Sequence, residues 1–200
     1  MAIIFLRHGE SMGNAWKPAY NDEETNFLSP QGVKQAELAG YLIGKHTDEI
    51  DVIMCSHAVR ARQTAVTAMQ TFGDWKRAYH RDDRLNEWCF GAPDTTHWAN
   101  YETQEDFYYR VACVYNDEIK NFDPNKTQVV VSHFYTMSAL FECIRRDHAG
   151  ESLDPMGREL PWPKLDHEAR PTIPNAVPYL YDGSTDVPQM MDHHGKVVAR

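Results

Sequence analysis

Short apolar runs alternating with amphipathic stretches predict a doubly wound α/β chain, with helices on both faces of one sheet. Three observations carry that prediction. Ile3-Ile4-Phe5-Leu6 has strand length and stops abruptly at Arg7-His8-Gly9. Gln128-Val129-Val130-Val131-Ser132 is β-branched and unbroken, the pattern of a parallel strand covered on both faces. Between the strands lie helical stripes with recognisable start and stop residues. The expected fold is a single three-layer α/β/α domain over residues 1–200, with a mostly parallel central sheet.

In chain order, residues 12–28 are polar and aromatic without a steady period and read as a long loop, with Asn14 early in it. Ser29 then supplies an N-cap and Pro30 a first helical position. Val33, Ala36, Leu38, Ala39, Leu42 and Ile43 keep a helical stripe to about Lys45. A second strand, Asp51 to Cys55, ends at Ser56-His57, and Ala58 to Phe72 is helical, closed by Gly73. Arg77 to Trp88 gives one or two short strands, and the turn residues Gly91-Ala92-Pro93-Asp94 precede a helix over 103–121. After the Val-rich strand, Phe134 to Arg146 is helical. Residues 147–174 are proline-rich, charged and aperiodic, and read as a lid or insertion. Val177 to Tyr181 is a strand, and Lys196 to Ala199 an edge strand.

The formal charge of −9 argues against general affinity for nucleic acid or a membrane surface. Any anion site must therefore be a local concentration of cations. The chain enters a strand directly, without a charged region and cleavage site, and holds no apolar run of membrane-spanning length. Cys55, Cys89, Cys113 and Cys143 are widely spaced, which suits free thiols in a reducing compartment, so a cytoplasmic protein is expected. Ten histidines invite a metal hypothesis, but no His-Glu-x-x-His or Cys-x-x-Cys spacing occurs. No metal or other cofactor is expected.

Three strand ends carry related chemistry. The first ends in Arg7-His8, the second in Ser56-His57 with Arg60 on the first turn of the following helix, and the third in Ser132-His133. In an open α/β sheet, ligands bind outside the carboxyl ends of the strands. Arginine presents a planar fork of donors to phosphate oxygens, and neutral histidine is a nucleophile near neutral pH. Gly9 is read as letting the backbone approach a ligand. If the strands are neighbours, two arginines and two histidines converge on one crevice.

These residues resemble the histidine phosphatase superfamily, the phosphoglycerate mutase-like group. The resemblance rests on Leu6-Arg7-His8-Gly9-Glu10-Ser11 with Asn14, and on Leu28-Ser29-Pro30-Gln31-Gly32 leading to Gln35-Ala36. It continues through Ser56-His57-Ala58-Val59-Arg60-Ala61-Arg62-Gln63-Thr64-Ala65, Leu85-Asn86-Glu87 and Val130-Val131-Ser132-His133. Pro174-Asn175-Ala176-Val177 looks like the family's final core strand.

The resemblance implies that His8 takes the phosphoryl group as a phosphohistidine, while Arg7, Arg60, His133 and Asn14 hold the phosphate. It makes Glu87 the proton donor, a role that suits a carboxyl group of raised pKa because an unprotonated alkoxide leaves poorly. The activity implied is a metal-independent phosphomonoesterase of the histidine acid phosphatase type, acting on a small phosphorylated substrate. The alternatives are a primer-dependent mutase and a non-catalytic phosphate-recognising module. Two departures stand out. Phe134 and Tyr135 occupy positions where the family usually has glycine, and either narrow the pocket or turn outward. The acidic Asn21-Asp22-Glu23-Glu24 replaces the mutases' Gly-Trp-x-Asp run and would repel a second phosphate. His57 is read as facing either substrate or solvent, Arg62 as a solvated helix charge, and Trp88, Trp98 and Tyr101 as either pocket or core. Glu10 and Ser11 are assigned to loop hydrogen bonding. Loops 12–28, 88–102 and 147–174 would carry specificity, and oligomeric state is left open.

Overall fold

The computed structural model describes residues 2–16, 25–73, 78–88, 102–151, 153 and 172–198. Its strands are β1 (Ala2–Arg7), β2 (Val52–Cys55), β3 (Ala78–Arg81), β4 (Thr127–Ser132), β5 (Pro178–Tyr181), β6 (Gln189–Met191) and β7 (Val197–Val198). They form one sheet in the order β3-β2-β4-β1-β5-β6-β7. The four core strands, β3, β2, β4 and β1, pair in parallel. β5, β6 and β7 extend the sheet on the far side of β1 by antiparallel pairing. The sequence reading placed no strand at β6, whose three residues are too few for a period to register.

Alternation along the strands sorts the core into two layers. Ile3, Phe5, Met54 and Val130 face one side, where they pack with α4 (Gln104–Val114) and α5 (Phe134–His148). Ile4, Leu6, Ile53, Cys55, Val129 and Val131 face the other, against α2 (Pro30–His46) and α3 (Val59–Phe72). This is the expected three-layer α/β/α arrangement with a parallel core. α2 and α3 pack backbone to backbone, because a Cβ at Gly40 would lie 2.1 Å from the Ala68 carbonyl oxygen.

Local signals set most helix ends. Ser29 Oγ accepts the Gly32 amide at 3.0 Å, and Gly73 closes α3 with φ of 95°. Thr103 caps α4 by accepting the Asp106 amide. Two expectations shift. The stretch read as a loop after β1 begins with a short helix, α1 (Met12–Trp16), nucleated by Asn14 Oδ1 accepting the Ser11 amide at 3.2 Å and the Ser11 hydroxyl at 3.0 Å. The helix expected over 103–121 changes at Tyr115–Ile119 into a wider π turn, in which the Lys120 amide reaches the Tyr115 carbonyl. One strand and a 3-10 turn, Asp83–Leu85, occupy the 78–88 region.

Among the described residues, no helix is long and apolar enough to cross a membrane. Cys55 and Cys143 are buried thiols and Cys113 is half-buried; Cys89 lies outside the described residues. The same holds for most of the expected lid at 147–174, for the acidic run at 21–24, and for Trp98 and Tyr101.

Candidate active site

Register brings the strand ends level. Arg7 pairs with Ser132, and Cys55 with Val131, so His8, Ser56 and His133 all leave the sheet at one edge. Each peptide group of the segment after β1 is then tied to a different element. The His8 amide donates to the Ser132 carbonyl at 2.9 Å, the Gly9 amide to Thr64 Oγ1 on α3 at 2.9 Å, and the Glu10 amide to Gln35 Oε1 on α2 at 2.7 Å. From the turn before β5, the Ala176 amide reaches the Arg7 carbonyl and Asn175 Nδ2 the His8 carbonyl, at 2.9 and 2.8 Å. Such over-determination holds the His8 segment in one geometry.

The Gly9 expectation needs correction. A Cβ on Gly9 would lie 2.5 Å from the Gly32 carbonyl oxygen, and one on Gly32 2.0 Å from the Glu10 carbonyl oxygen. The space is taken by the start of α2, with no room assigned to a ligand.

His8 is only 4% exposed, and its Nδ1 lies 2.7 Å from the Gly9 carbonyl oxygen. A carbonyl only accepts, so Nδ1 carries the proton and Nε2 carries the lone pair. Burial, reinforced by the charges of Arg60 and Arg7, holds the His8 pKa well below the ordinary histidine value. The ring is therefore neutral at neutral pH. The His133 ring centroid sits 5.1 Å from that of His8. Burial, Arg60, His8, Arg7 and Arg110 likewise hold His133 neutral.

Arg60 occupies the first turn of α3 and is 8% exposed. Arg7 donates from Nη1 to the Ile173 carbonyl at 2.7 Å, while its Nε has no hydrogen-bond partner among the described residues. Its guanidinium lies 5.5 Å from the Phe134 ring centroid. The bulky pair at the start of α5 thus turns inward: Phe134 covers Arg7, and Tyr135 packs edge-on against Phe134 and Trp88. Trp88 also stacks on Phe107 and donates to the Glu102 carbonyl, which makes it part of the α4 packing.

Glu87 follows the 3-10 turn and is half-buried. Its carboxylate accepts from the amides of Trp88, Tyr135 and Thr136. Burial nevertheless raises its pKa above the ordinary carboxyl value, against the opposing pull of those amides and of Arg60. Arg110, which the sequence did not single out, anchors this segment. Its Nη1 donates to the Arg84 and Asn86 carbonyls at 2.7 and 2.9 Å, while Nε and Nη2 grip Glu102.

The structure therefore gathers Arg7, His8, Arg60, Glu87 and His133. Asn14 is exposed, and its Oδ1 is turned back onto Ser11. His57 is exposed, with its Nδ1 3.5 Å from Asp83. Arg62, expected to be solvated, is half-buried, with a charge that reaches Cys55 and Tyr79. Thr64, Gln35 and Asn86 lie in the quoted motifs, yet nothing in a sequence assigns them partners. Asn175 lies in the quoted Pro174-Asn175-Ala176-Val177 stretch without a partner assigned to it, and Arg110 carries no signal beyond residue type.

A buried neutral imidazole with a free lone pair, flanked by two guanidiniums, a second imidazole and a carboxyl of raised pKa, can accept and return a phosphoryl group. Comparison with known proteins agrees. At 27% identity over 125 residues, 59% of this chain and 52% of the relative, the chain is similar to a 2,3-bisphosphoglycerate-dependent phosphoglycerate mutase of Methanococcus vannielii. The alignments span about half or less of the length of the curated relatives matched. A candidate alpha-ribazole-5'-P phosphatase from Escherichia coli K-12 superposes with a TM-score of 0.67 at 20% identity, covering 100% of this chain and 97% of that one. A mycobacterial glucosyl-3-phosphoglycerate phosphatase in complex with VO3 gives 0.63 at 20% identity, covering 90% and 91%. The family model of the histidine phosphatase superfamily (branch 1) matches residues 3–107, more than half of the chain, from Ile3 in β1 past the end of β3. Fold, motif order and strand-end geometry agree with that match, and the chain belongs to the histidine phosphatase superfamily.

Proposed function

We propose that this protein is a metal-independent phosphomonoesterase working through a phosphohistidine on His8. The observation that carries the reading is the 2.7 Å contact of His8 Nδ1 with the Gly9 carbonyl, which leaves the Nε2 lone pair for attack beside two arginines. Nε2 forms a bond to phosphorus as the ester oxygen departs, and that oxygen takes the Glu87 proton. In the second step the Glu87 carboxylate accepts a proton from water, the water oxygen attacks phosphorus, and the P–N bond breaks to release phosphate and restore His8. Arg7, Arg60 and His133 stabilise charge on the equatorial oxygens, and Asn14 adds a further hydrogen bond once a ligand is present. Phosphoryl transfer asks mainly for positioning and charge stabilisation, which these side chains supply.

Within this reading the 200 residues act as one domain, as the shared sheet supports, with residues 147–174 as lid or insertion. The substrate is a small phosphorylated molecule, the compartment cytoplasmic. A mutase is the second reading, favoured by the naming of the curated relatives. Phosphate release from an aryl phosphate in the presence of chelator, compared between wild type and His8→Ala, tests the first reading. Chelator-resistant release lost in the variant is expected. Isomerisation of phosphoglycerate that requires a bisphosphorylated primer, without net phosphate release, would establish the mutase instead.

A further inference from the structure

We propose that Ser56 and Asn86 are positioning residues that fix the tautomer of His133, so that an oxyanion is captured together with one proton. This deepens the phosphatase reading and rests on it.

The His57 backbone amide lies 3.0 Å from the Asn86 side-chain oxygen, and an amide N–H only donates, so the atom facing it is Oδ1. That oxygen lies 2.7 Å from Ser56 Oγ. An amide oxygen carries no hydrogen, so the Ser56 hydroxyl must spend its proton there. Ser56 Oγ also accepts the Ala58 amide at 3.2 Å. His133 Nε2 lies 2.7 Å from the same Oγ, which has no proton left to give. Nε2 must donate. The neutral ring therefore carries its hydrogen on Nε2 and a bare lone pair on Nδ1. That Nδ1 is buried and has no hydrogen-bond partner among the described residues.

Asn86 is itself immobilised. Its carbonyl accepts Thr136 Oγ1 at 2.7 Å and Arg110 Nη1 at 2.9 Å, so the relay is tied to α5 and α4.

A lone pair repels an oxyanion. For Nδ1 to bond a phosphate oxygen it must first gain a hydrogen, from solvent or from a substrate monoanion, and the ring becomes an imidazolium donating from both nitrogens. This N–H forms as the donor's O–H breaks, and no other covalent bond changes. The ring is faced by Arg7 and His8 from the end of β1, Arg60 from α3 and Arg110 from α4, with Glu87 beside the start of α5. The cations oppose protonation in the free protein, and the incoming dianion reverses that balance. Capture should therefore weaken as pH rises, by up to about tenfold per unit where one proton is taken up.

Sulfate is the probe, because it does not titrate between pH 6 and 9, and His8→Ala is the background, because it removes the neighbouring ring. Calorimetry in buffers of different ionisation heat should show close to one proton taken up per sulfate bound at pH 8. Adding Ser56→Ala or Asn86→Ala frees the ring to place its hydrogen on Nδ1, so uptake should fall towards zero; adding Ser56→Thr, which keeps the hydroxyl, should retain it. Nitrogen-15 spectra of the ligand-free wild-type protein at pH 8 read the tautomer directly and need no variant to fold. An Nε2–H signature for His133 is expected. An Nδ1–H signature, or sulfate bound without proton uptake, overturns this proposal and leaves the phosphatase reading standing. Failure of sulfate to bind at any pH removes the anion site itself, and both readings with it.

Discussion

The backbone amide of Tyr135 donates to the Glu87 carboxylate across 3.1 Å, so α5 is capped by a residue 48 positions earlier in the chain. His133, the residue at the N-cap position, makes no side-chain capping bond of its own. Glu87 therefore serves the fold as a helix cap and faces the site as a carboxyl of raised pKa. The two functions pull against each other. The cap prefers the ionised form, whereas burial prefers the protonated form and prevails. A native pKa above the unfolded one means that the folded state binds the proton more tightly, so this group loses stability as pH rises through its native pKa. Glu87→Gln keeps an oxygen for the amides and never ionises. It should unfold at a higher temperature than wild type at pH 8, with the gap closing towards pH 4. Hydrolysis of an alkyl phosphate should fall roughly 100-fold or more, and that of an aryl phosphate with a good leaving group much less.

The two histidines give the opposite pH dependence. Both native pKa values lie below the ordinary histidine value of 6.5, so between that value and the native ones the unfolded chain binds more protons. Stability is then lost as pH falls below about 6.5, at up to about 1.4 kcal/mol per pH unit for each ring. Denaturant unfolding of the ligand-free protein from pH 7 to pH 5 should show this slope. His8→Asn should make it shallower, and Glu87→Gln, which removes the opposing contribution, should make it steeper.

Gly32 tests how closely α2 supports the segment that carries His8. With 2.0 Å between a Cβ at this position and the Glu10 carbonyl oxygen, Gly32→Ala must displace backbone. A cost of about 3 kcal/mol in denaturant stability is expected. The surviving folded fraction should lose turnover, because Glu10 and Gly9 carry His8 with them. Gly44→Ala, on the same helix but 3.6 Å from the nearest Phe72 atom, is the control and should change little.

Much of this protein was legible in residues alone. The β1 and β4 runs, the Ser29-Pro30 helix start and the Gly73 stop are local signals, and local physics decides them: two-residue alternation, side-chain caps and the left-handed freedom of glycine. The convergence of Arg7, His8, Arg60 and His133 could be anticipated because parallel strands present their carboxyl ends on one edge. Tertiary structure decided what no local window contains. That α2 fills the space beside Gly9 depends on a contact 23 residues away in sequence. That Phe134 turns inward depends on where Arg7 stands. The hydrogen on His133 Nε2 is set by Ser56, 77 positions away, and by Asn86 beyond it. Residue type supplies the donors and acceptors, but their pairing is fixed only when the sheet register brings them within 3 Å, and protonation then follows from the pairing.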